Sequence, residues 1–335
     1  MRIGFAFDLK DTVAAAPGAP DDDLEEYDSA ETVTLIASSL ETLGHDVALL
    51  GGGREFLHKI QNGEALDIVF NIAEGRGNHP AREAQVPSVL EMLDIPYTGS
   101  GPLCLAVCLD KPLTKTLLRE AGIATPDWCV LSSREGLENL NWDGFGDPLV
   151  VKPACEGSSK GIHADSFAGT PAEAKATALK LLSEYRQPVM LEQYIAGEEV
   201  TVGMVGNSPP RVLGMMRVVP RNGDNCFMYS IEVKRDYKNL VDYECPARLD
   251  EEVLKRIEEA SLKTFAVLGC RDLSRLDFKV AADGTPYFLE INPLPGLGNH
   301  SDLVIMAQGL GLTHKQLLAA ILDAALKRCP QCVSV

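Results

Sequence analysis

The chain has 335 residues, 45% of them hydrophobic and 24% charged, the balance of an ordinary globular protein with room for two or three domains. Its 48 acidic residues outnumber 31 basic ones, and the net charge of −17 excludes nucleic acid and anionic membranes as main partners, since both attract positive surface. No apolar run approaches the roughly 20 residues of a membrane span, "MRIGFAFDLK" is too briefly apolar for a signal peptide, and nine scattered cysteines read as reduced thiols of a cytoplasmic protein.

The chain opens as strand, loop, helix, strand: "RIGFAF", a Pro/Gly/Asp-rich segment, then Val33, Ile36, Leu40 and Leu43 at helical spacing until Gly44, then "HDVALLGG". "ALDIVFNIAEG" is a further buried strand, so residues 1–102 read as a Rossmann-like α/β domain with a parallel sheet. Ligands of such sheets collect beyond the carboxyl ends of the strands, which draws attention to Asp8 and Glu74. Residues 103–195 read as an α+β unit. A helix there carries Lys111 and Lys115, and the strands "WCVL", "DPLVVKP", "GIHAD" and "PVMLEQYI" follow, with "ACEGSSK" as a hairpin tip. Residues 196–335 hold two strands, a long aromatic-bearing loop, a helix, the strands "SRLDFKV" and "YFLEINP", and a terminal helix bearing Leu317, Leu318, Ile321, Leu322 and Ala325. "CPQC" at Cys329 to Cys332 reads as a frayed tail rather than a metal or redox pair.

The chemistry concentrates in two places. Asp277 lies in an apolar strand, while Glu290 and Asn292, two apart, share one face of the next. Three oxygen donors from adjacent strands suit a hard cation such as Mg²⁺, which binds through one or two carboxylates together with substrate phosphates. In the middle unit, Lys111, Lys152 and Lys160 stand at a helix start, a strand end and a glycine-rich turn, where ammonium groups reach phosphates. A lysine-and-glycine grip facing a cation site describes a nucleoside triphosphate held between two units.

The chain resembles the D-alanine–D-alanine ligase family of ATP-grasp carboxylate–amine ligases. Six segments come in the family's order: "LEMLDIPYTGSGPLCLAVCLDK", "VVKPACEGSSKGI", "LEQYIAGEEVTVGMV", "YECPARL", "RLDF" and "LEINPLPGLGNHSDL". The resemblance implies an ATP-grasp fold in three domains and a two-step reaction. ATP phosphorylates one amino acid's carboxylate and a second amino acid's amine displaces the phosphate, with D-alanine as both partners in peptidoglycan biosynthesis. It further implies that Lys111 and Lys152 contact the ATP phosphates, that the loop from Gly157 through Ser159 to Gly161 closes over them, and that Glu156 and Lys234 also belong to the nucleotide site, with the roles of Lys234, Arg235 and Tyr237 left open. Glu192, Gln193, Tyr194 and Ile195 would line the adenine pocket, and Glu199 would hold the ribose. Asp277, Glu290 and Asn292 match the Mg²⁺ (or Mn²⁺) ligands. Arg275 with the Gly296 amide would stabilise an oxyanion, Ser301 would hold the acceptor's carboxylate, and Ser158 and Tyr237 would orient the substrate amine. A closing lid is expected at residues 221–244, and a homodimer by resemblance alone.

The chain departs from the family on the substrate side. In place of the N-terminal Ser-x-Glu it has "DLKDTVAAAPGAPDDDLEEYDSAETV", with Glu25 or Glu31 as the candidate for the first substrate's amino group. Glu74 stands where histidine is usual, the order of "EVKRDY" differs, and Lys160 replaces a small apolar residue. Two alternatives follow: a ligase for a different amino acid and amine, or a nucleotide-binding protein without catalysis.

Overall fold

The computed structural model describes residues 1–14, 18–63, 65–142, 148–221, 223 and 227–329, and Cys332 of the terminal CxxC lies outside them. The N-terminal unit alternates β1 (Arg2–Ala6), α1 (Ala30–Thr42), β2 (Asp46–Gly51), α2 (Gly53–Asn62), β3 (Ile68–Asn71) and α3 (Gln85–Met92). Its three strands are parallel in the order β2-β1-β3. The central strand is apolar along nearly its whole length because helices cover both faces, leaving no solvated side to alternate toward. Ser29 starts α1 by accepting the Thr32 N–H, one of the donors that a helix N-terminus leaves without a partner.

The helices α4 (Pro102–Leu109) and α5 (Lys111–Glu120) lead to β4 (Trp128–Leu131), α6 (Arg134–Glu138), β5 (Leu149–Pro153), β6 (Phe167–Ala168), α7 (Pro171–Tyr185) and β7 (Val189–Gln193). These strands form an antiparallel sheet ordered β4-β7-β5-β6. Asp110 caps α5 with its carboxylate on the Leu113 N–H, and that fixes where Lys111, the first helical residue, begins. The strand expected at "GIHAD" is absent. The partner of β5 comes later and is only two residues long, because the chain coils first: Ser158 and Ser159 are left-handed (φ 49° and 59°). Gly161 is left-handed too (φ 70°), and a Cβ there would lie 2.4 Å from Pro153 Cγ, so only glycine fits.

The C-terminal unit runs β8 (Glu198–Val205), β9 (Arg211–Pro220), α8 (Ile231–Arg235), α9 (Tyr237–Leu240), β10 (Val241–Glu244), α10 (Glu251–Val267), β11 (Leu273–Val280), β12 (Pro286–Asn292), α11 (Asp302–Gly309) and α12 (His314–Arg328). Its strands form an antiparallel sheet ordered β10-β9-β8-β11-β12. The segment expected as a lid therefore carries two short helices and a strand. The largest core joins the two ends of the chain: Ile3, Ile36 and Leu40 pack with Leu303, Leu317 and Ile321. No helix among the described residues is long and apolar enough to cross a membrane.

Candidate active site

Two antiparallel sheets face each other across a cleft, and the residues singled out in the sequence divide between its walls. On one wall, Asp277 of β11 pairs in register with Glu290 of β12, and Arg275 with Asn292. Residues opposite each other in such a pair project to one face, so all four side chains meet there. Arg275 Nη2 lies 2.8 Å from Asp277 Oδ2 and 3.5 Å from Glu290 Oε1, and its Nη1 lies 3.4 Å from Asp302 Oδ2. Asp277 Oδ1 accepts from the Thr201 hydroxyl at 2.9 Å, and Asn292 Oδ1 accepts the Leu294 N–H at 2.8 Å.

The opposite wall supplies cations. Lys152, on β5, donates to Glu192 Oε2 at 2.7 Å, while Lys115 Nζ lies 2.5 Å from Glu192 Oε1, deep beneath the cleft floor. Lys111 Nζ bonds the Glu156 carbonyl and lies 3.7 Å from Glu290 Oε2. Burial alone would push the Glu290 carboxyl up, but Lys111, Arg275, Lys152 and Lys234 outweigh it and hold it down at about 2. Burial also raises Asp277, against the pull of Arg275. For Lys234 burial is the main cause of a lowered value, and the nearby Arg275 adds to it.

Two compartments share Glu290. The larger is lined by Val150, Lys152, Ile195, Glu199, Met228 and Lys279 among others. Its lining also includes Ser159, Glu192, Gln193, Tyr194, Lys234 and Asp277, so most residues expected to touch the nucleotide converge there. The smaller is lined by Lys111, Glu156, Gly157, Ser158, Arg275 and Asn292, and also by Glu83. Gly296 and Ser301 adjoin one another, a Cβ on the glycine falling 3.1 Å from the serine Oγ. The Tyr237 ring stacks at 5.9 Å on Tyr243, with His300 at 5.8 Å.

Glu199, in the lining of the larger compartment, pairs with Lys279 at 3.0 Å. Other placements differ from expectation. The Glu156 side chain turns from the nucleotide side to Arg82 (2.9 Å), Lys160 (2.8 Å) and Gln187 (2.6 Å). The Gly157 and Gly161 amides, expected over phosphates, donate instead to Glu26 and Asp22, each at 2.8 Å. Buried carboxylates from the N-terminal unit therefore fill the loop's anion-binding side. Glu25 reaches Arg235 at 3.1 Å and Lys10 at 3.5 Å, and Glu31 is exposed. Glu26 is the one that meets the glycine-rich loop. Its carboxylate accepts from Arg82 through both oxygens, at 2.7 Å each, and lies 3.6 Å from Lys160. Nothing periodic in residues 20–28 distinguishes Glu26 from its neighbour, because the segment is a run of turns. Arg82 and Glu83 were missed as well, since charges in a loop are by default solvated, yet here they are 3% and 6% exposed.

Comparison with known proteins agrees with this geometry. Residues 117–323 match the family described as D-ala D-ala ligase C-terminus. A D-alanine–D-alanine ligase of Moorella thermoacetica is 33% identical over 321 residues, 94% of this chain and 99% of the relative. An uncharacterised protein of Sinorhizobium fredii is 32% identical, covering 88% of this chain and 87% of its own. The crystal structure of Bacillus anthracis D-alanine–D-alanine ligase complexed with ATP superposes with a TM-score of 0.75 at 26% identity, covering 99% of both chains. The fold is therefore ATP-grasp, the architecture of ATP-dependent carboxylate–amine ligases. Within that class, the chain belongs to the D-alanine–D-alanine ligase family.

Proposed function

We propose that the protein joins two amino acids, or an amino acid and another amine, through an acylphosphate formed with ATP. The observation that supports it most is the pair of compartments meeting at Glu290, one lined by most of the residues expected to hold a nucleotide and the other by Ser158, Arg275 and Asn292. Lys111, Lys152 and Lys234 would hold the phosphates, and Gln193, Tyr194 and Ile195 the base. The donor set at the junction fits a hard cation: Asp277, Glu290 and Asn292 offer oxygen only, and Glu290 is held ionised by its lysines. Mg²⁺ or Mn²⁺ bound there would supply charge neutralisation on the phosphates. Arg275, turned toward these carboxylates, would be freed to face developing negative charge once they bind the cation. Ser158 lines the smaller compartment, and Ser301 beside Gly296 would receive the acceptor's carboxylate.

D-alanine as both partners is the family's chemistry. A different pair is favoured by the ionic cluster of Glu26, Arg82, Glu156 and Lys160 where the substrate side departs from the family. Purified protein with ATP and Mg²⁺ should release ADP only when a suitable amino acid is added. A panel of D- and L-amino acids without stimulation would contradict the proposal, and activity on pairs other than D-alanine would settle the substrate.

A further inference from the structure

Glu83 sits in the wall of the smaller compartment, beside Arg82 and Glu74. Glu83 is 6% exposed, and its Oε2 has no hydrogen-bond partner among the described residues. A buried acceptor left unpaired is costly, so native proteins keep one where something else completes it. The surrounding carboxylates differ. Glu26 is enclosed by Arg82, Lys160 and the Gly157 amide, and Glu156 by Arg82, Lys160 and Gln187. Neither has an oxygen to spare for an incoming cation. Glu83 and Ser158 line the same compartment, together with Arg275 and Asn292, so a molecule there has the reacting centre on one side and a free carboxylate on the other.

Resting on the ligase reading above, we propose that Glu83 binds the ammonium group of the amino acid whose carboxylate is activated. Glu26, which follows the first of the two glutamates that sequence suggested for this task, instead stays in the internal ion-pair network. The substrate ammonium completes the unpaired Oε2 and points the carboxylate toward the shared edge at Glu290. Burial and the neighbouring Glu26 push the Glu83 carboxyl up to about 8 against the pull of Arg82 and Lys111.

The test compares wild type with Glu83→Gln and Glu83→Asp in the ADP-release assay. The substrates are the best first amino acid and its des-amino carboxylic acid, with the KM for ATP as control. A lost charged hydrogen bond weakens binding about 10- to 100-fold. Glu83→Gln should therefore raise the KM for the amino acid by that factor, leave the KM for ATP within about twofold, and abolish discrimination against the des-amino acid. Glu83→Asp, which keeps the charge, should restore part of the discrimination. Unchanged discrimination in Glu83→Gln, or its loss in Glu26→Gln alone, would overturn the proposal. Wild type inert toward every amino acid would overturn the ligase reading itself, and this inference with it.

Discussion

Lys152 and Glu192 form a buried ion pair of 2.7 Å on adjacent strands at the cleft floor, and Lys115 closes on the same carboxylate from below. Glu192 thus does more than line the larger compartment: it keeps two ammonium groups in a dry interior. Burial lowers Lys115 to about 8 despite that partner, while Glu192 overcomes burial and raises Lys152. Replacing Glu192 by Gln removes the carboxylate that both lysines touch, and breaking a buried pair costs about 3–5 kcal/mol. Urea unfolding should show a loss of that size, whereas a change within experimental error would mean water already solvates the pair.

Asp28 gives a pH-dependent prediction. Burial and the nearby Asp8 push its carboxyl from 3.8 to about 7. Between those values the folded protein holds a proton that the unfolded chain releases, so this residue's contribution to stability declines as pH rises from about 4 to 7. Asp28→Asn should be more stable than wild type at pH 8, by up to about 4 kcal/mol. The gap should narrow toward pH 4, and an equal gap at both pH values would contradict the assignment.

Much of this was legible in the sequence, because it rests on local periodicity. The two-residue alternation that put Arg275 with Asp277, and Glu290 with Asn292, on one strand face is the arrangement found, with the register pairing the two strands face to face. The apolar stripe of the last helix was equally readable, but not what it packs on, since the Ile36 to Ile321 core joins segments far apart in the chain. The loop after Lys152 failed for another reason. Its shape depends on carboxylates from residues 22 and 26 that seize the Gly161 and Gly157 amides, a long-range capture without local signature.

That capture is itself testable through Tyr185, whose hydroxyl donates to Asp22, 2.7 Å from each carboxylate oxygen. Tyr185→Phe removes a hydrogen bond to a buried charged group, expected to cost about 1.5–3 kcal/mol. Hydrogen exchange should accelerate at the Gly161 amide, which Asp22 also holds. Unaltered protection there would show that the loop keeps its shape without this contact.

Glu290 is the residue common to both compartments, so Glu290→Gln should retain the fold but lose charge where the two meet. Amino-acid-dependent ADP release should fall about 100-fold or more if several kcal/mol of charge stabilisation is lost. The Mg²⁺ concentration for half-maximal activity should rise. Activity within a few-fold of wild type at unchanged Mg²⁺ dependence would remove Glu290 from the cation site.

Activation of a carboxylate as its acylphosphate can be followed through the fate of its oxygen atoms. The first amino acid is supplied with both carboxylate oxygens as ¹⁸O, and the inorganic phosphate formed with ATP and Mg²⁺ is analysed by mass. Attack of the amine on the acylphosphate breaks the bond between the acyl carbon and the bridging oxygen, so each phosphate released with ADP should carry one ¹⁸O. Phosphate without label, or label recovered in AMP, would contradict the account.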